Sequence, residues 1–87
     1  MQEKVLLYAT AACPFCRQAE ALLHAHGAQV EKVRVDLYPD QLQEMRERTG
    51  RKSVPQVFIG ETHVGGHEDL VLLNREGRLG ALINPRE

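Results

Sequence analysis

Tryptophan is missing from this chain, and cysteine is confined to two positions. Charge of either sign is nearly cancelled, with 11 Lys and Arg against 12 Asp and Glu and a formal net charge of −1 at pH 7. That balance gives no electrostatic footprint for a nucleic acid. No apolar run approaches the ~20 residues that a membrane helix needs. The opening MQEKVLLYAT has five apolar or aromatic residues in a row but no basic n-region and no long h-region. It reads as a first strand rather than a signal peptide. Repeats, low-complexity tracts and linker-like segments are absent as well. At 87 residues, the expectation is one small domain over 1–87. With no targeting segment the default setting is the cytoplasm. In that reducing compartment a lone cysteine pair is more often catalytic or metal-binding than structural.

What is present centres on Cys13 and Cys16, separated by Pro14 and Phe15. As a structural staple the pair is poor. A disulfide stabilises by restricting the unfolded chain, and a ring this short gives roughly 2 kcal/mol before strain is subtracted. As a metal site it is incomplete, because a closed zinc site needs four ligands. His24, His26, His63 and His67 have no ligand-like spacing to the pair, and His24 and His26 diverge on a helix. No metal is expected, and redox exchange is left as the leading role.

The surrounding pattern supplies a scaffold. KVLLYA is a short continuous apolar run, as in a strand covered on both faces. Phe15, Ala19, Leu22 and Leu23 fall on one helical face, which His26 continues. Pro14 suits the first helical turn and Gly27 the C-terminal cap. VEKVRVDL alternates, with Val33, Val35 and Leu37 on one side and Lys32, Arg34 and Asp36 on the other, which predicts a half-buried strand near a sheet edge. Pro39 opens a charged helix with a thin stripe of Leu42 and Met45, a Glu44–Arg48 pair and Gly50 at its end. Val57–Ile59, a turn at Gly60-Glu61 and a return over Thr62–Val64 predict a hairpin. One or two closing helices follow, with Leu70, Leu73, Leu79, Leu82 and Ile83 as core contacts. The order β-α-β-α-β-β-α predicts an α/β fold, a four-stranded mixed sheet flanked by helices on both faces, with its first two strands parallel through a right-handed crossover.

The helix start explains why the cysteines belong there. Unpaired N–H groups and the helix dipole favour negative charge on the Cys13 sulfur. Cys16 lies three residues on, on the same face and within reach. Cys13 is therefore the expected attacking sulfur. Cys16, one turn inside the helix, is the expected resolving sulfur, more buried and less acidic.

Such a C-x-x-C at the end of a first strand reads as a thioredoxin-like redox motif, and the chain as a whole resembles the glutaredoxins of the short bacterial dithiol type. The resemblance rests on YATAACPFC, RKSVPQVFIG, HVGGHEDL and NREGRLGALI. CPFC fits the family's C-P-[YF]-C, Ser53-Val54-Pro55 represents its T-V-P, and Gly65-Gly66-His67-Glu68-Asp69 represents its G-G-x-[DS]-D. It implies the thioredoxin fold and a glutathione-dependent thiol–disulfide oxidoreductase acting on protein disulfides and glutathione mixed disulfides. Glutathione is then the reducing co-substrate, no cofactor is tightly bound, and the chain works as a monomer without nucleic acid or membrane. By the same resemblance Cys13 and Cys16 are catalytic, and Pro55 is cis. Val54 pairs strand-like with the cysteinyl backbone of glutathione, the competing reading of the Val54-Pro55 pair being simply the start of an edge strand. Gly66 leads into the backbone of His67 and Glu68, which takes the γ-glutamyl carboxylate, and Asp69 faces the ammonium. For Arg51 or Lys52, contact with the glycyl carboxylate and plain solvation both remain open.

There are departures from the pattern. Thr10 stands where many members have a lysine, Ser53 replaces threonine, and Glu68 replaces aspartate or serine. Arg17, after Cys16, is either a compensating charge or a solvated helix residue. Among rivals, a redoxin fed by thioredoxin reductase usually carries a W-S-G-F-type segment, which a chain without tryptophan lacks. A dimeric glutathione-ligated iron–sulfur carrier prefers C-G-F-S, and Pro14 disfavours bridging. A glutathione transferase N-domain needs a helical domain that this length does not hold.

Overall fold

The structure, a computed structural model, describes residues 2–84. Residue 1 and residues 85–87, the ends of the expected 1–87 domain, lie outside the described residues. Four strands, β1 (Val5–Ala9), β2 (Val30–Arg34), β3 (Gln56–Ile59) and β4 (Thr62–Gly65), alternate with four helices, α1 (Pro14–Ala25), α2 (Pro39–Thr49), α3 (His67–Arg75) and α4 (Leu79–Ile83). They form one sheet in the order β2-β1-β3-β4. β1 runs parallel to β2 and antiparallel to β3, and β3 runs antiparallel to β4. This is the mixed sheet read from the sequence, and its architecture is the thioredoxin fold.

The pleat of β1 separates two cores. Val5, Leu7 and Ala9 join Val57 and Ile59 of β3 against Ala19 and Leu23 of α1, Leu70 of α3, and Leu79 and Ile83 of α4. On the opposite face, Tyr8 and Phe58 pack with Val35 and with Met45 of α2. Burial on both faces explains the unbroken apolar run of β1. Pro14 and Pro39 each stand in the first turn of their helix, where a missing N–H leaves no bond unmade. Of the expected closing core, Leu70, Leu79 and Ile83 are fully buried, while Leu73 and Leu82 pack at its margin. Among the described residues no helix is long and apolar enough to cross a membrane.

Two expectations need correction. β2 ends at Arg34, and Leu37, predicted to face inward, is 58% exposed. The Arg34 carbonyl accepts the N–H groups of Leu37 and Tyr38, at 3.1 and 3.2 Å, so the chain turns before the alternation is complete. Asp36 then folds back to receive a forked pair of bonds from the Arg34 guanidinium at 2.8 and 2.7 Å, and the Ala11 N–H at 3.3 Å. The Arg34 hydrogen bond holds the Asp36 carboxyl well below the usual carboxylate range. The second correction is Phe15. Its spacing puts it on the apolar stripe of α1, but it is 56% exposed, because it stands in the first turn of the helix and faces the His67 ring.

Candidate active site

The site is built where β1 feeds α1. Cys13 is the residue that caps α1, in extended conformation at φ −134° and ψ 101°, and its Sγ accepts the backbone N–H of Cys16 at 3.1 Å. Sulfur here takes the place of the oxygen that ordinarily satisfies a helix N-terminus. The two cysteines are free thiols.

Their surroundings differ sharply. Cys13 is partly exposed, whereas Cys16 is 3% exposed and packs with Ala19 and Leu23. Burial pushes the Cys16 thiol up to about 12, and its own hydrogen bond to Cys13 pushes in the same direction. One sulfur can meet a partner in solution; the other is buried and keeps its proton.

Phe15, between the two cysteines in the chain, borders an open groove of about 420 Å³. One wall is the lead into β3, with Arg51, Ser53, Val54 and Pro55 and with the buried Gln56 behind them; the other is the start of α3, with Gly66, His67, Glu68 and Asp69; Phe15 of the CPFC segment closes the cysteine end. The Val54–Pro55 peptide bond is cis. The Phe15 and His67 rings lie 5.0 Å apart at 35°, joining the starts of α1 and α3. At the first turn of α3 the N–H groups of His67 and Glu68 have no carbonyl four residues back within the helix, so this end favours a carboxylate.

Asp69 is already engaged. Its Oδ2 accepts the Gly66 N–H at 2.9 Å and lies 3.6 Å from the Arg51 guanidinium. Gly65 lets this happen: its φ of +118° and the carboxylate packed against its Cα leave no room for a side chain. The Arg51–Asp69 pair spans the two walls with both side chains half exposed. Such a pair is worth at most about 1 kcal/mol, so a charged ligand can replace it at little cost.

Of the residues singled out from the sequence, the fold gathers Cys13 and Cys16 at one helix start and brings Arg51, Val54, Pro55, Gly66, His67, Glu68 and Asp69 around the groove. Lys52 stands apart, lining a separate cleft with Gln43, Arg46, Glu47, Gly50 and the far side of Arg51. Phe15, taken for core, is part of the groove.

A partly exposed sulfur that caps the first helix of a thioredoxin fold, with a second, buried thiol one turn on, defines a thiol–disulfide oxidoreductase. The glutaredoxin family model matches residues 5–64, and the chain belongs to that family. It is 48% identical over 84 residues to a glutaredoxin of Neisseria meningitidis, covering 95% of this chain and 99% of the relative. The solution structure of a Brucella melitensis glutaredoxin superposes with a TM-score of 0.85 at 40% identity, covering 99% of this chain and 94% of that one. A buckwheat glutaredoxin solved in complex with glutathione has the same fold, with a TM-score of 0.87 at 24% identity over 95% of this chain and 78% of that one.

Proposed function

We propose that the protein reduces glutathione mixed disulfides and protein disulfides, with glutathione as its reducing co-substrate. The observation that carries this reading is the groove bordered by Phe15 of the C-P-F-C segment, with a cation on one wall and a helix N-terminus on the other. Glutathione has the matching charges: a carboxylate at each end, an ammonium beside one of them, and a thiol between. Arg51 meets the glycyl carboxylate, Val54 and Pro55 face the cysteinyl backbone, and the N–H groups of His67 and Glu68 after Gly66 receive the γ-glutamyl carboxylate. Asp69 turns to the ammonium and gives up its Arg51 partner. Lys52 adds long-range attraction only. The buckwheat neighbour's complex with glutathione supports a ligand of this kind on the same fold.

On a glutathionylated protein, the Cys13 thiolate attacks the glutathionyl sulfur. A Cys13–glutathione disulfide forms and the protein leaves as a thiolate, which takes up a proton. A second glutathione thiolate then attacks the glutathionyl sulfur, producing oxidised glutathione and restoring Cys13. On a protein disulfide, Cys13 forms a mixed disulfide, Cys16 loses its proton and attacks the Cys13 sulfur, and two glutathiones reduce the resulting intramolecular disulfide. The raised Cys16 thiol slows that internal attack, which leaves time for an external thiol. The reading takes chain 1–87 as one working domain, a monomer of the reducing cytoplasm with no tightly bound cofactor.

The test is glutathione-dependent reduction of a glutathionylated peptide by wild type, Cys16→Ser and Cys13→Ser. Cys16→Ser is expected to keep substantial activity and Cys13→Ser none. Equal loss in both overturns the one-cysteine route. Turnover supported by thioredoxin reductase but not by glutathione overturns the proposed reductant, and a brown anaerobic preparation with visible absorbance points instead to cluster carriage.

A further inference from the structure

Directly after Pro55 stands Gln56, 1% exposed, a buried amide at the head of a strand that is otherwise apolar. Its Nε2 donates to the Ser53 carbonyl at 3.1 Å and lies 3.5 Å from Ser53 Oγ. A carbonyl can only accept, so this bond identifies the nitrogen of the amide. Oε1 therefore faces His63 Nε2 at 2.8 Å, and that ring nitrogen carries the hydrogen. The chain of donors runs one way, from His63 on β4, through Gln56, to the Ser53 carbonyl. His63 is itself held by Phe58, whose ring lies 4.9 Å away at 30°. A bulge in the β3–β4 register, where Phe58 pairs with His63 while Val57 pairs with Gly65, sets His63 opposite Phe58.

The Ser53 carbonyl belongs to the same planar peptide as the Val54 N–H, and in a trans peptide the two point in opposite directions. Holding the carbonyl from behind thus fixes where the Val54 N–H points. We propose that Gln56, anchored by His63, is a positioning residue that orients the Ser53–Val54 peptide and thereby sets selectivity for the peptide-like arm of the thiol substrate. This rests on the glutathione reading, because Val54 matters only if the ligand has a backbone to pair with it. Gln56 does not act on the sulfur chemistry. Its loss is felt by a substrate that lies along Val54 and not by one that offers Cys13 a bare disulfide.

The experiment compares single-turnover rates of reduced protein on one peptide capped through its cysteine either by glutathione or by cysteamine. The cysteaminyl cap has the same disulfide and no peptide arm. Wild type prefers the glutathionyl cap. In Gln56→Leu, shown by thermal unfolding to be folded, the ratio of the two rates is expected to fall about tenfold, the order for an unmade hydrogen bond to a buried group. Gln56→Met keeps the length of the side chain but has no donor for the Ser53 carbonyl, so it is expected to lose the preference to the same extent. A merely loosened protein slows on both caps together. A ratio at the wild-type level in either folded variant overturns the inference alone. Equal rates on both caps in wild type overturn the glutathione reading and this inference with it.

Discussion

The two faces of the sheet do different work. The face toward α1 and α3 is aliphatic: Val5, Leu7, Val57 and Ile59 meet Leu23 and Leu70, with the Cys16 sulfur among them and Cys13 at the margin. The face toward α2 is aromatic and polar. Tyr8 and Phe58 meet edge to face at 6.2 Å, Arg48 donates to the Tyr8 hydroxyl at 2.9 Å, and the Arg48 guanidinium lies 4.0 Å from the Phe58 centroid. Gln56 and His63 continue the same face. The contrast shows how a small sheet serves two needs. Packing, which has no direction, holds the helix that carries the thiols; hydrogen bonds, which do, hold the groove wall at a set angle.

The largest effect that separates the faces is in stability. Leu70 is wholly buried in the aliphatic core, and Leu70→Ala is expected to cost about 2–5 kcal/mol, the lost transfer energy plus the cavity left behind. Urea unfolding measures it. Because packing carries no angular information, the preference between glutathionyl and cysteaminyl caps is expected to survive in the folded fraction. A cost under about 1 kcal/mol, or a lost preference, erases the distinction between the faces.

The Cys16 thiol sharpens the comparison on the alkaline side. In the unfolded chain it ionises near the ordinary value of 9.0, but in the folded protein only near 12. Between those values the unfolded state has fewer protons, so stability falls as pH rises, at up to about 1.4 kcal/mol per pH unit from this group. Below pH 9 its contribution is fully present. Denaturant midpoints of the reduced protein from pH 8 to 10.5 are expected to fall more steeply for wild type than for Cys16→Ala. Parallel curves remove burial as the cause of the second thiol's weak acidity.

Much of this was legible because local rules and tertiary packing agree. The apolar run of β1, the prolines at helix starts and the glycines after α1 and α2 each have one favourable place, and the C-x-x-C spacing puts both sulfurs on one helix face. Leu37 was misread because alternation says nothing about where a strand stops; that was decided by the turn bonds to Arg34 and by Asp36 reaching Arg34 and Ala11. Phe15 was misread because helical periodicity names a face but not whether anything lies opposite it. Lys52 and Arg51 are neighbours in sequence and share one cleft, yet only Arg51 also reaches the groove, a difference no spacing rule contains. The Gln56–His63 contact joins residues seven apart in the chain across a bulge in the β3–β4 register. Its one sequence signal was a glutamine at the head of an apolar strand.

The smallest effect lies on the acid side of the polar face. Burial is the main cause holding the His63 imidazole below its ordinary value of 6.5, with Arg51 and Arg48 pushing the same way and Asp69 opposing them. Just below pH 6.5 the unfolded chain takes up a proton that the folded chain refuses, so stability falls on acidification and is recovered as pH rises back to the ordinary value. His63→Gln removes the titration while keeping an N–H for Gln56 Oε1, and is expected to flatten that part of the stability profile between pH 5 and 7. Because the proton His63 would gain goes to Nδ1, leaving the Nε2–H bond to Gln56 in place, the cap preference is expected to stay level over the same range. A preference that falls in step with stability means that the charge of His63, and not the direction of its hydrogen bond, holds the groove wall.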